Sequence, residues 1–325
     1  MKEPTTKSLA QLLSEPVTDN EEFICTTCGH SQKDRFQRCP KCNKWAEYPT
    51  LGDWGKQLPV GIEVGDKLVK SFDLMPLDFK KEREINRQWG AARRSTLTIS
   101  DYIGTILSNT VTQIGTQDIT KFKHEKRLLI FNQMYQADVF YVYAYLRLLS
   151  LGHEMRMTEM QCGSCGFKFP FSADLRSLEV VVIGSPSELI SDIELRDGFD
   201  LNGQNRTKLK VKPPLWSMMG ANFPMAGNEA ELFAAMMANC VIAIDGMPDG
   251  TVLTTREFDQ FTKYDVEICQ NVLNSVLAGP RWEIEGTCPK CEASFYDLVD
   301  WSYDGFFALS SRSPRLMKRS RRSSR

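Results

Sequence analysis

Ten of the 325 residues are cysteine, and eight of these fall into four Cys-x-x-Cys pairs: Cys25 with Cys28, Cys39 with Cys42, Cys162 with Cys165, and Cys288 with Cys291. One such pair offers two thiolates. It can serve as a redox dithiol, or as half of a tetrahedral metal site with four sulfurs about 2.3 Å from a zinc ion. Four pairs in one chain argue for metal. The first two pairs have the spacing C-x2-C-x10-C-x2-C, which makes one complete zinc ribbon on its own. The third pair has no neighbour, and the fourth follows more than a hundred residues later. The economical reading is that these two knuckles share one ion, with everything between Cys165 and Cys288 forming one long insertion. Two closed four-thiolate sites leave no open position for water, so both zinc ions are expected to be structural.

No catalytic constellation stands beside them. His153-Glu154 is followed by Met157 where a zincin helix needs histidine, and no G-x-S-x-G or G-x-x-x-x-G-K-[ST] occurs. The loop Asp245-Gly246-Met247-Pro248-Asp249-Gly250 lacks the ligand count of a calcium loop and reads as a turn. His30 reads as a solvent-facing loop histidine. Cys240 and Cys269 lie in helix-like segments and read as buried free thiols. The expected protein is not an enzyme.

Composition bounds the class. An apolar fraction of 42 % is enough for a real core. The formal charge is −1, but residues 312–325 carry seven Lys or Arg and no acid, which leaves residues 1–311 at −8. An acidic body is poorly suited to tracking a phosphate backbone. No apolar run reaches about 18 residues, so no membrane span is expected. The N-terminus shows no apolar signal region, and paired knuckles fit metal in a reducing compartment better than disulfides.

The elements that must position the cysteines can be read in order. Residues 1–21 form a polar arm, 22–48 the first ribbon, and 49–66 a Gly- and Pro-rich linker. Residues 67–311 form an α+β domain with the split knuckles, and 312–325 a basic, disordered tail in weak contact with acidic surfaces. Within the large domain, Thr98 to Val111 is periodic like a helix, and His124 to Leu151 is the strongest helix. The second half of the latter is apolar nearly all round and should be central, with Gly152 ending it. Strands are expected at Phe167–Phe171 and Leu178–Ile183. Ser191–Lys212 reads as a β-ribbon with turns at Asp197-Gly198 and Asn202-Gly203. Helices are expected at Asn228–Ile244 and within Thr255–Leu277. Strands at Arg281–Glu285 and Ala293–Leu298 flank the last knuckle. Each half of the split site is therefore strand, knuckle, strand, the plan of a zinc ribbon.

Two resemblances add to this. Phe23 two residues before Cys25, the four cysteines and Trp45 after Cys42 make residues 22–48 similar to the rubredoxin-like ribbon of bacterial recombination ATPases of the RadA/Sms kind. The ATPase motif is absent from this chain. From Ile103 to Phe307, the order of features resembles the baseplate hub assembly proteins of contractile-tailed bacteriophages. These features are a long apolar helix ending Tyr145-Leu146-Arg147-Leu148-Leu149-Ser150-Leu151-Gly152, a knuckle, Leu178-Glu179-Val180, Leu195-Arg196-Asp197-Gly198, a second knuckle and Phe306-Phe307. That resemblance implies a non-enzymatic structural or assembly component of a phage tail. It would be made in the host bacterial cytoplasm, reside in the virion baseplate, and work through other tail or baseplate proteins, with oligomerisation left open. The alternative is a zinc-ribbon nucleic-acid-binding protein that uses the first ribbon and the Arg-rich tail.

Overall fold

The computed structural model describes residues 23–24, 31–32, 49–65, 67–92, 99–218, 229–248, 251, 253–276 and 278–298. The architecture is mixed helix and sheet, as expected for α+β. At the N-terminus, β1 (Phe23–Ile24) pairs antiparallel with β2 (Ser31–Gln32). Cys25, Cys28, Cys39 and Cys42, the residues of the expected first ribbon, lie outside the described residues, as does the segment 312–325.

Residues 49–66 are not a linker. Thr50 caps a single turn, α1 (Leu51–Trp54), and the chain then forms β3 (Gln57–Val64). Leu51, Leu58 and Val60 are fully buried. The Gly and Pro residues that suggested a linker build a bulged strand instead. Pro59 needs no ladder partner for a missing N–H. Gly61 takes φ +94°, and a Cβ there would meet the Val69 carbonyl oxygen at 2.9 Å. β3 pairs with β4 (Lys67–Leu74), which pairs with β5 (Val111–Ile114) and then β6 (Gln117–Asp118), giving a four-stranded antiparallel sheet. Between β4 and β5 lie α2 (Phe79–Ala92) and α3 (Ile99–Thr110). The apolar face of α3, Ile103, Ile106 and Leu107, is buried as its periodicity requires.

The helix expected from His124 to Leu151 is two helices, α4 (His124–Asn132) and α5 (Gln136–Leu151). The break has a tertiary cause. Residues 214–216 cross at Tyr135, where the Gln136 N–H donates to the Pro214 carbonyl at 3.0 Å and the Trp216 N–H to the Met134 carbonyl at 2.8 Å. Those bonds displace a helical turn that local propensity would have kept. α5 is the central element: Val139, Tyr141, Tyr143, Ala144 and Leu146 are fully buried. Gly152 closes it at φ +82°. Its two charges are both satisfied. Arg147 donates to the carbonyls of Gly152 and Glu154. Asp138, fully buried, accepts from the N–H groups of Val60 and Gly61, which the β3 bulge turns out of its ladder.

After α5 come β7 (Glu154–Gln161) and β8 (Lys168–Asp174), an antiparallel pair, and then β9 (Val180–Val181), shorter than the strand expected there. A second core follows. β10 (Ser191–Leu201), β11 (Gln204–Val211) and β12 (Val241–Ile244) form its sheet. α6 (Glu229–Cys240), α7 (Thr255–Phe258) and α8 (Lys263–Val276) accompany it, and buried Ile193, Leu209, Met237, Phe258 and Leu273 belong to one cluster. The helix expected to reach Ile244 stops at Cys240 because Val241–Ile244, rich in β-branched residues, adds to β11.

Asn202 and Gly203, at φ +58° and +76°, make the expected tight hairpin turn. Asp197-Gly198 does not turn the chain. It is a bulge in β10, and the buried Asp265 carboxylate of α8 accepts from the N–H groups of Arg196, Asp197 and Gly198. The chain returns through β13 (Gly279–Pro280), which pairs with β9, and ends its described part in the hairpin β14 (Glu283–Thr287) and β15 (Ser294–Leu298). Among the described residues, no helix is long and apolar enough to cross a membrane.

Candidate metal centre

The two knuckles are backbone copies of each other. In the first, the Cys162 N–H donates to the carbonyl of Phe167, five residues on, at 2.9 Å. The Gly166 N–H returns to the Cys162 carbonyl at 2.9 Å. In the second, the Cys288 N–H donates to the Ala293 carbonyl and the Glu292 N–H to the Cys288 carbonyl, again at 2.9 Å each. Both need a left-handed residue four positions after the first cysteine. Gly166 supplies φ +68° at no steric cost, whereas Glu292 adopts φ +58° with a side chain attached. Each knuckle sits at the tip of a hairpin, β7–β8 or β14–β15, so the local order is strand, knuckle, strand in both halves.

The structure brings the tips together across the insertion. The Sγ atoms of Cys162, Cys165, Cys288 and Cys291 all lie within 4.8 Å of one another. Cys162 Sγ is 3.6 Å from Cys291 Sγ, and Cys165 Sγ is 3.8 Å from Cys288 Sγ. A tetrahedron with arms of about 2.3 Å has edges of about 3.8 Å, and a disulfide would need about 2.05 Å. The sulfurs therefore sit at the spacing of ligands around one ion and too far apart to be bonded to each other. Cys162 and Cys288 are buried, while Cys165 and Cys291 face solvent.

Electrostatics points the same way. The N–H groups of Cys165 and Ser164 pull the Cys162 thiol down to about 6. The Cys291 thiol is pushed up to about 12: the Ala293 N–H opposes this, but the Cys165 sulfur, loss of hydration and the Cys162 and Cys288 sulfurs together outweigh it. Four thiolates at such distances repel unless a cation sits among them. The Lys290 N–H also points at Cys288 Sγ, at 3.4 Å. The residues present fit a four-coordinate, thiolate-loving ion such as zinc. Bound there, it would cross-link the knuckles and offer no open position for substrate.

A small core supports the cluster. Met160 and Phe169 are buried beside it, and the Phe295 ring meets Phe169 and Phe171 edge-on at 5.7 and 5.1 Å. Gly286 leaves room for this contact, since a Cβ there would lie 2.5 Å from the Phe295 ring.

No other group of three or more potential ligands is found among the described residues. Cys240 and Cys269 lie in the second core, where burial pushes each thiol up to about 12 and keeps it protonated. Asp245 begins a turn closed by the Met247 N–H on the Ile244 carbonyl, and Asp249 and Gly250 lie outside the described residues.

Over residues 91–307, the chain matches the family model described as T4 bacteriophage base plate protein. The chain belongs to this family. No curated protein and no solved structure matches it. The matched region contains all four clustered cysteines and the whole inserted core, but it begins downstream of β3 and β4.

Three polar ties, two buried and one partly exposed, escaped the reading of the sequence. They are Asp138 with β3, Asp265 with the β10 bulge, and Glu63, which accepts from both Lys212 Nζ, at 2.6 Å, and the Tyr135 hydroxyl. Their partners are 60 or more residues away and mostly backbone N–H groups, so side-chain identity carries no signal for them. The one visible trace is Asp138, a carboxylate inside an otherwise apolar run, where a buried charge demands a partner.

Proposed function

We propose that the protein is a non-enzymatic structural or assembly component of the baseplate hub of a contractile phage tail. The observation that carries this reading is the family match over residues 91–307. The geometry of the cysteine cluster supports it, because a closed four-thiolate node shapes a surface and performs no turnover. In this reading one zinc ion is held by Cys162, Cys165, Cys288 and Cys291, and a second by Cys25, Cys28, Cys39 and Cys42. The protein is made in the host bacterial cytoplasm, binds other tail or baseplate proteins, and is carried in the virion at the tail baseplate.

The test is a phage with a nonsense codon early in this reading frame, grown in suppressing and non-suppressing hosts. Electron microscopy of the non-suppressing lysate should show heads and tail precursors without complete baseplates, and complementation should restore infectious particles. Complete tails made in normal number without the protein would overturn the proposal. Mass spectrometry of purified virions reports whether the protein remains in the particle.

A further inference from the structure

Between the two knuckle hairpins lies a groove of about 370 Å³, lined by strands of both. Residues 171–174 of β8 form one side and residues 283–285 of β14 the other. The floor is apolar, from Phe171, Ala173 and Ile284, and the rim carries four carboxylates, Asp174, Glu179, Glu283 and Glu285, against one cation, Arg281. Among the described residues, β8 pairs only with β7 and β14 only with β15, so the groove runs between two strand edges. Such edges accept an extended segment.

The charge on the rim is neutralised only in part. Arg281 reaches Glu179 at 3.5 Å and Arg176 holds Asp174, but the Glu283 carboxylate has no ion pair among the described residues. Tyr296, 72 % exposed, stands at the rim with its hydroxyl 3.3 Å from Glu285 and its ring open to solvent. Elsewhere acidic strands are balanced. Asp192 and Glu194 of β10 are faced across the ribbon by Lys210 and Lys208.

We infer that this groove binds the Arg-rich segment 312–325 of the same chain. That segment has seven Lys or Arg and no acid, the complement of a rim whose four carboxylates meet only Arg281 and Arg176 and leave Glu283 and Glu285 without an ion pair among the described residues. Guanidinium groups pair with carboxylates in a forked geometry and stack on an exposed tyrosine ring, so arginine suits this rim better than lysine does. The tether reaches. β15, which itself lines the groove through Tyr296, ends at Leu298, and the residues from there to Arg312 extend up to about 45–50 Å at about 3.3–3.6 Å each. A short tether of this kind holds the segment near the groove at about millimolar effective concentration. The contact is electrostatic and exposed, so salt must weaken it. It would keep the basic segment from other polyanions until a partner in the baseplate displaced it.

The experiment uses the full chain at low concentration with a water-soluble carbodiimide. Lys318 is the one amine in residues 299–325, so its cross-links report where the segment lies. The inference expects intrachain links from Lys318 to Glu283, Glu285, Glu179 or Asp174, lost at about 1 M salt. In the full-length Glu283→Gln/Glu285→Gln variant, whose altered side chains are exposed and leave the core intact, trypsin should cleave after Arg319, Arg321 and Arg322 about tenfold faster than in the native chain. The same variant should bind heparin several-fold more tightly. Links scattered over other surface acids, links found only between chains, or equal cleavage rates and heparin affinities in the two proteins would each overturn it.

Discussion

If Cys162, Cys165, Cys288 and Cys291 hold one ion, severing either knuckle should cut the same node. The structure sets the size of the effect. The sulfur contacts join residues 129 and 123 positions apart. An unfolded chain that kept the ion would have to close a loop of that length, and closing about 100 residues costs about 4.7 kcal/mol in chain entropy. The open chain therefore binds the ion weakly, and most of the binding energy, about 10–16 kcal/mol in small zinc modules, counts toward folding. Cys162→Ser and Cys288→Ser should each lose about one zinc per chain and about 5 kcal/mol or more of stability. The double variant should lose no more zinc than either single variant, and about 1 kcal/mol or less of further stability, since residues sharing one partner couple strongly.

Elemental analysis of purified full-length protein gives the stoichiometry, and urea unfolding followed by tryptophan fluorescence gives the energies. Where the buried cysteines prove too costly, solvent-facing Cys165→Ser and Cys291→Ser serve the same purpose, because their side chains fill no core. Additive zinc loss, about half an ion per chain for each knuckle, would mean that each knuckle pairs with a copy in another chain and would refute the shared node. Costs below about 0.5 kcal/mol for the exposed cysteines, the range of ordinary surface changes, would refute metal altogether.

Other outcomes follow from single residues. Burial raises Asp138 from its ordinary 3.8 to about 7 against the pull of the Val60 and Gly61 N–H groups and of Lys70. The folded state therefore keeps this proton longer than the open chain does. Stability should fall as pH climbs between about 4 and 7, and that slope should vanish in Asp138→Asn, which should itself cost about 1–3 kcal/mol by setting an amide against an N–H donor. Gly198→Ala should cost about 2–4 kcal/mol in a melt, because φ is +73° and a Cβ would lie 2.5 Å from the Arg206 carbonyl oxygen. Leu58→Ala should cost about 2–5 kcal/mol by opening a cavity in the first core, whereas in a linker it would be nearly silent; urea unfolding separates the two. A fragment of residues 91–307 should be insoluble or bind hydrophobic dyes, since it lacks β3 and β4. A sharply melting fragment would show those strands to be dispensable.

What the sequence disclosed and what it hid divide along one physical line. Cysteine spacing is local chemistry, so the strand–knuckle–strand plan and the partnership of Cys162, Cys165, Cys288 and Cys291 could be read before any coordinates. The apolar run of α5 and the Asn202-Gly203 turn are likewise local, the first by periodicity and the second by its need for two positive φ angles. The misreadings all concern segments decided by a distant partner. Glycine and proline in residues 49–66 look the same in a linker and in a bulged strand until Asp138 is known to collect the freed N–H groups. Residues 133–135 stay helical by propensity until the 214–216 segment takes their backbone groups. Asp197-Gly198 turns a chain in most settings, but here Asp265 holds it as a bulge.

The same contacts show what a metal ion would add where the hairpins meet. β7–β8 and β14–β15 are two-stranded sheets, and an isolated pair of strands is marginal in water. Their shared core is small, with Met160, Phe169, Cys162 and Cys288 as its buried members. The inserted core between them has its own hydrophobic cluster, but β9 and β13, which join the two ends of the insertion, share only two residue pairs. The Lys212–Glu63 ion pair adds a partly exposed contact of modest worth. The crossing of residues 214–216 at Tyr135 adds a third tie to α5, through two backbone hydrogen bonds and the buried Trp216 ring against Phe140. An ion at the four thiols would add a further tie, because it would fasten the tips of both hairpins, one just before the insertion and one just after it. In a baseplate component, such a node would add to the ties through residues 214–216 and β9–β13 in holding the surface presented by the inserted core.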